Sequence, residues 1–179
     1  LRLVGSEMCI RDRYYYVYEN CDVIGRSCRL INDSDVRVDI RRVMSMLMDI
    51  DGTGYVFTTF NGAWAREMER RDTVVTAGKH VNSSYTGTSS SRANPFVMIS
   101  KKDTTQDQGS CIGLNLIYSG NHYEAVEAGM CDSTRIVAGI NPQSFSYILD
   151  AGETFEAPEV VMTYSDKGFN AMSRNMHDF

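Results

Sequence analysis

Apolar residues fall in short runs, many of them alternating with polar residues, and each run ends at a cluster of Gly, Pro, Asn, Asp or Ser. Alternation with a period of two marks a strand with one buried face, and closely spaced turn signals favour an all-β domain. Residues 14–19 and 23–31, joined by Asn20-Cys21-Asp22, predict a hairpin that Asn32-Asp33-Ser34-Asp35 closes off. Further strands are predicted over 55–60, 73–76, 96–100, 112–119, 123–128, 134–140, 144–149 and 159–164. Pro95, Pro142 and Pro158 stand at the edges of these runs, where a residue without a backbone N–H is tolerated. Gly120-Asn121 reads as a hairpin turn.

Residues 36–48 fit two periods. Val36, Val38 and Ile40 alternate with Arg37, Asp39 and Arg41 as in a strand, whereas Val36, Ile40, Val43, Met44, Leu47 and Met48 also share a helical face. With strands predicted on both sides, the segment is read as one long strand bent near Arg41-Arg42. The end of the chain differs. Ser165 is placed to cap a helix with Asp166 in its first turn, and Phe169, Met172, Met176 and Phe179 recur at helical spacing.

The net charge of −5 offers little to phosphate backbones, whose binding rests on Lys and Arg, so nucleic acid is not an expected partner. No apolar run approaches the roughly 20 residues of a membrane helix, and no membrane partner is expected. The cysteines Cys21, Cys28, Cys111 and Cys131 are scattered, without a CxxC pair, and read as buried free thiols of a reducing cytoplasm. His80, His122 and His177 lack metal-ligand spacing, so no metal or other cofactor is expected. The opening residues need separate treatment. LVGSEMCIRDR (residues 3–13) reads as the translation of a sequencing-library adapter. Residues 1–13 are therefore expected to lie outside the native frame and to be loosely attached, with the domain running over 14–165 and a helical connection from 166 to 179. Those opening residues carry three arginines against two carboxylates, so without them the net charge is −6.

Five strings carry a family resemblance. FNGAWARE (60–67), SSSRANPF (89–96), NLIYSGNHYEAVE (115–127), TRIVAGINPQSFSYIL (134–149) and AGETFEAPEVVMTYSDKGFNAMSRNMHDF (151–179) resemble, in order, segments of bacterial family-36 glycoside hydrolases, the α-galactosidases of melibiase and raffinase type. The resemblance implies part of a large N-terminal β-sandwich, the galactose-mutarotase-like supersandwich, whose terminal helix leads to a TIM-type barrel beyond Phe179. It implies a retaining hydrolysis of terminal α-galactosyl groups, for which two carboxylates stand about 5–5.5 Å apart. Both are expected beyond Phe179, so this chain is expected to hold no catalytic residue. The barrel, α-galactoside oligosaccharides and further subunits of a homo-oligomer are the implied partners. Ser91 stands where many relatives carry His, which puts any sugar contact there in doubt. A free-standing carbohydrate-binding sandwich is the alternative.

Trp64, the only tryptophan, offers an aromatic face to the C–H face of a sugar, with Asn61 and Arg66 as donors to hydroxyls. Burial in the core or packing against the barrel is the competing reading of Trp64, and an Arg66–Glu67 ion pair that of Arg66. Asp49-Ile50-Asp51-Gly52-Thr53-Gly54 opens like an EF-hand loop, but Phe60 stands where the bidentate Glu belongs, and a hairpin turn is the simpler account. Glu124, Glu127, Glu153, Glu156 and Glu159 read as a solvated face. Asn82-Ser83-Ser84 matches a glycosylation sequon by pattern only.

Overall fold

The computed structural model describes residues 9–129 and 131–179. In order they form β1 (Cys9–Tyr18), β2 (Val23–Asn32), β3 (Val38–Ile40), β4 (Met44–Asp51), β5 (Val56–Ala63), β6 (Arg66–Val74), β7 (Gly78–Ser83), β8 (Ala93–Ser100), β9 (Cys111–Leu116), β10 (His122–Ala128), β11 (Ser133–Ile140), β12 (Tyr147–Leu149), β13 (Thr154–Glu156), β14 (Val160–Ser165) and α1 (Gly168–Asp178). The all-β class expected from the alternation is the class adopted. The large sheet runs β1-β2-β14-β9-β8-β5-β6, with β13 also on β2. A second sheet is β10-β11-β4, and β12 pairs with β3 in a small third.

The layers are held by apolar faces that the period of two makes legible. Val97 and Ile99 of β8, Leu114 and Leu116 of β9, and Val160 of β14 point to one side of the large sheet. There they meet Met46, Val126, Ile136 and Ala138 of the second sheet. The opposite side of β8 and β9 is covered by α1, whose Phe169 and Met172 lie on Met98 and Cys111, flanked by Phe60, Phe96 and Met176. Being covered twice, β8 is apolar from Phe96 to Ile99 without alternation. A smaller cluster of Cys28, Ile40, Val43, Leu149 and Ala157 packs the third sheet against β2.

Several expectations are corrected. The segment over 36–48 is not one bent strand. It breaks at residues 41–43, with β3 on β12 and β4 on β11, so the two halves serve different sheets. Gly120-Asn121 is not a hairpin turn, because β9 lies in the large sheet and β10 in the second, and the connection crosses between layers. Pro95 sits inside β8 rather than at its edge. The β5 ladder is irregular there, jumping from Thr59↔Val97 to Asn61↔Ala93, so no regular hydrogen bond is asked of the proline. Ser165 ends β14 instead of capping α1, though its Oγ accepts the Lys167 N–H at 3.0 Å. The helix has no side-chain cap and no acid in its first turn. Its leading N–H groups donate to the loop over 105–109, as in Phe169 N–H to Thr105 O (3.1 Å) and Asn170 N–H to Gln106 O (2.9 Å).

Val4 and Met8 lie outside the described residues. No strand boundary falls at Arg13: Cys9–Tyr18 is continuous and pairs with β2 from Cys9↔Asn32 to Tyr18↔Val23. None of residues 10–13 is buried, and Asp12 forms an ion pair with Arg29 at 3.0 Å. The cysteines divide. Cys28 and Cys111 are buried, the latter with its thiol pushed up to about 11 by burial, whereas Cys131 is exposed and corrects the expectation of a buried thiol there. Brief treatment with iodoacetamide is expected to alkylate Cys131 and spare Cys111, as read by peptide mass spectrometry.

Candidate functional site

The sequence string NGAWAR becomes the end of a projecting hairpin. β5 is shared between β8 and β6, and β6 is the sheet edge, exposed along its whole length. The turn is Trp64-Ala65, with Ala65 at φ 61° and its N–H donating to Glu67 Oε1 at 2.9 Å. Gly62 is required here, since a Cβ would lie 2.2 Å from the Arg66 carbonyl oxygen. Trp64 is 92% exposed at the tip, so the core reading of this residue is excluded. Asn61 is tied to the loop beside it: its Oδ1 accepts from Thr59 Oγ1 (3.1 Å) and its Nδ2 donates to Arg92 O (3.0 Å). Glu67 forms no ion pair with Arg66. Asn61 and Arg66 thus come together, with Gly62, Ala63, Glu69, Arg71 and Arg92, around an open polar concavity of about 310 Å3. Trp64 stands outside it.

Behind this hairpin lies a polar cluster that the pattern reading missed. His122 and Glu124 on β10 are 0% and 1% exposed, and Asn82 on β7 is buried beside them. Glu124 is therefore not on a solvated face. His122 Nδ1 lies 2.8 Å from Glu124 Oε2, and His122 Nε2 lies 2.8 Å from the Ala93 carbonyl oxygen. Asn82 Nδ2 donates to both Glu124 Oε2 (2.8 Å) and the Asn94 carbonyl oxygen (2.7 Å). A carbonyl can only accept, so Nε2 carries a proton, and one further proton is shared between Nδ1 and the carboxylate. The pair is neutral overall. Burial opposes the charged imidazole, but the hydrogen bond and charge of Glu124 and the Ala93 carbonyl outweigh it and raise His122 above its ordinary value. Burial pushes Glu124 up to about 6 against the pull of His122 and Asn82. The cluster ties β10 and β7 to the start of β8, the same turn from which Arg92 reaches the concavity. Buried as it is, Asn82 is also unsuited to glycosylation.

The EF-hand-like segment is taken up otherwise. Asp49 lies on β4 and receives two hydrogen bonds from Arg135, each 2.8 Å, and the Arg135 guanidinium holds its carboxyl below the usual range. Gly52 and Gly54, at φ 86° and 72°, turn the chain from β4 into β5. Among the described residues no cluster of His, Cys, Asp and Glu is arranged to hold a metal ion, and no helix is long and apolar enough to cross a membrane.

The profile of the glycosyl hydrolase family 36 N-terminal domain matches residues 11–150. The chain belongs to glycoside hydrolase family 36. It is 38% identical over 178 residues to α-galactosidase AgaA of Geobacillus stearothermophilus, spanning 98% of this chain and 24% of AgaA. To α-galactosidase Mel36A of Lactobacillus acidophilus it is 37% identical over 93% of the chain and 23% of the relative. The fold superposes with a TM-score of 0.91 on the α-galactosidase of Lactobacillus brevis at 34% identity, over 94% of this chain and 23% of that one. The same TM-score, at 36% identity and the same coverage, is found for an AgaA variant in complex with raffinose. The chain thus spans about a quarter of the length of the family-36 relatives that it matches, within their N-terminal domain.

Proposed function

We propose that this chain is a non-catalytic part of the N-terminal β-sandwich of an α-galactosidase, which removes terminal α-D-galactosyl residues from oligosaccharides with retention of configuration. The observation that carries the reading is its match over 98% of the chain to a quarter of AgaA, together with the TM-score of 0.91 over 94% of the chain. A second observation supports the non-catalytic part. The only buried carboxylate among the described residues, Glu124, has its oxygens committed to His122 and Asn82. The catalytic pair then belongs to a barrel beyond Phe179, and α1 is the connection toward it. Assembly into a homo-oligomer and a cytoplasmic location belong to the same proposal, as does the assignment of residues 1–13 to an adapter, which resequencing the 5′ end of the source gene decides.

The test is a comparison of this chain with the polypeptide encoded by its extended reading frame, using p-nitrophenyl α-D-galactoside. The expected result is release of p-nitrophenol by the extended protein and none by the chain alone. Release by the chain alone, or an extended frame without a barrel, overturns the reading.

The hairpin enters this proposal through Trp64. With Asn61 and Arg66 behind it, the exposed indole is proposed to meet substrate in the whole enzyme. Because the ring makes no core contact, Trp64→Ala is expected to leave the melting curve within about 0.5 kcal/mol of the parent. KM for the galactoside rises, or kcat falls. Unchanged kcat and KM in a normally folded variant would remove Trp64 from the site.

A further inference from the structure

We propose that the concavity beneath the β5–β6 hairpin binds a small oxyanion, a phosphate or carboxylate group on a diffusible ligand, through Arg66, Arg71 and Arg92. The inference goes beyond the galactosidase reading, because neutral sugar hydroxyls call for no concentration of positive charge.

A β-bulge creates the arrangement. Along the β5–β6 ladder Asn61 pairs with Glu69 but Ala63 pairs with Arg66, so two steps on β5 are matched by three on β6. Met68 takes up the extra residue at φ 59°. In a regular strand Arg66 and Arg71, five positions apart, would point to opposite faces. The bulge shifts the phase, so that Arg66, Glu69 and Arg71 share the face of Asn61. Arg92 joins them from the turn before β8. That turn is pinned by the Asn61 Nδ2 bond to the Arg92 carbonyl oxygen and by Arg92 N–H to Ser90 Oγ (3.3 Å). One and two residues further on, the Ala93 and Asn94 carbonyls are held by His122 and Asn82 in the buried cluster. The third guanidinium is thus mounted on backbone anchored in the interior.

The charges here are unspent. Arg29, Arg37, Arg41, Arg70 and Arg135 each pair with an aspartate. Among the described residues Arg66, Arg71 and Arg92 pair with none; Arg26, Arg42 and Arg174 are also without an ion pair, but these three are gathered around one concavity, where Glu69 is the single carboxylate among the lining residues. The three so gathered are Arg66, Arg71 and Arg92. Three guanidiniums against one carboxylate, in a chain of net charge −5, form a local inversion of sign. Guanidinium presents paired donors that match the two oxygens of a carboxylate or phosphate, which an ammonium does not. The walls are polar and the space is small, which suits a compact anion. Because the groups are exposed, binding weakens as salt is added.

The test is calorimetric titration of the chain at low ionic strength with sodium phosphate and, in parallel, sodium succinate, each against sodium chloride of equal ionic strength. Saturable binding of at least one of the two is expected, and the tighter one identifies the oxyanion class. The double variant Arg71→Gln with Arg92→Gln weakens binding by at least about tenfold, the loss expected for a hydrogen-bonded charged partner. Glu69→Gln, which removes the opposing carboxylate, tightens it, a gain that misfolding cannot produce. Binding no stronger than that of chloride overturns the proposal. So does binding that the double variant retains, or, should that variant not fold, binding that Glu69→Gln fails to strengthen.

Discussion

Replacing His122 with leucine is expected to destabilise the chain by about 3–5 kcal/mol at neutral pH, as measured by denaturant unfolding. Glu124 would be left 1% exposed with a carboxylate that has lost its charged partner, and an uncompensated buried charge carries a cost of that size. The Asn82 amide still donates to Oε2, which keeps the loss from growing further. The pH profile distinguishes this mechanism from a simple packing defect. In the parent, His122 and Glu124 both titrate higher in the fold than in an unfolded chain, so the fold holds more protons and stability falls as pH rises. The part due to His122 is fully present below the unfolded value of 6.5 and is lost as pH rises through the higher folded value. The part due to Glu124 falls between the ordinary 4.5 and about 6. His122→Leu loses the His122 part of this profile and keeps that of the carboxyl, which regains neutrality on acidification, so the stability of the variant itself rises from pH 8 to pH 5. Adding Glu124→Leu to His122→Leu removes the stranded charge, and most of the lost stability is expected to return. A His122→Leu variant that is equally stable at pH 5 and pH 8 would mean that packing, not charge, is at stake.

The second large effect is expected at the helix. Met172 is 1% exposed and lies over Gly113 of β9, where a Cβ would approach its sulfur to 2.4 Å. The missing glycine side chain is the socket for the methionine. Met172→Ala empties that socket on the outer face of the large sheet, a loss of about 2–5 kcal/mol by the scale of buried truncations. The helix should fray before the sheet melts, because Met172 is the central one of its few anchors: Phe169 and the loop bonds hold its N-terminal end, and beyond Met172 it is held by Met176, the Asn175 Nδ2 bond to Thr163 Oγ1 (2.9 Å) and the edge contact of Phe179 with Tyr18. Hydrogen exchange provides the measurement. Faster exchange over residues 172–178, with β8 and β9 still protected, is expected; uniform loss across the chain would show that helix and sheet unfold together.

Much of this architecture is legible in the sequence where a strand has one wet and one dry face. Val97, Ile99, Leu114, Leu116, Ile136 and Ala138 announce their sides by alternation, and the predicted strands at 96–100, 112–119 and 134–140 overlap β8, β9 and β11, with ends up to three residues off. Legibility fails where that contrast is absent. β6 has water on both faces and reads Arg-Glu-Met-Glu-Arg-Arg-Asp, so alternation points only to its last residues. β13 is three residues long, too short to show a period. Alternation also says nothing about which sheet a strand joins, and so in the sequence the break at 41–43 looks like a bend. The His122–Glu124 pair did leave a signal. Glu124 is two positions from Val126, in phase with the core face of β10 and out of phase with Glu127. Residue type points to an exposed position, whereas the phase of the strand points to the buried one. For the hairpin, the string around Trp64 marked the right loop, but only three dimensions show that Asn61 is occupied by Arg92 and that a bulge turns Arg66 and Arg71 the same way.

The order of strands in the large sheet has a consequence for how the chain is made. β2 has β14 as its inner neighbour, and their ladder joins Arg26 to Val160 and Val23 to Thr163. A ribosome working from the N-terminus therefore releases the β1–β2 hairpin long before its permanent partner exists. β5, β6, β8 and β9, by contrast, can zip together as they emerge, each beside a strand already made. Closing the gap between the two halves must wait for residues 160–165, a late event that brings together segments far apart in sequence, the kind of step that slows folding. During that interval the inward edge of β2 and the far edge of β9 are both open, and they are the surfaces that a nascent-chain chaperone would have to shield.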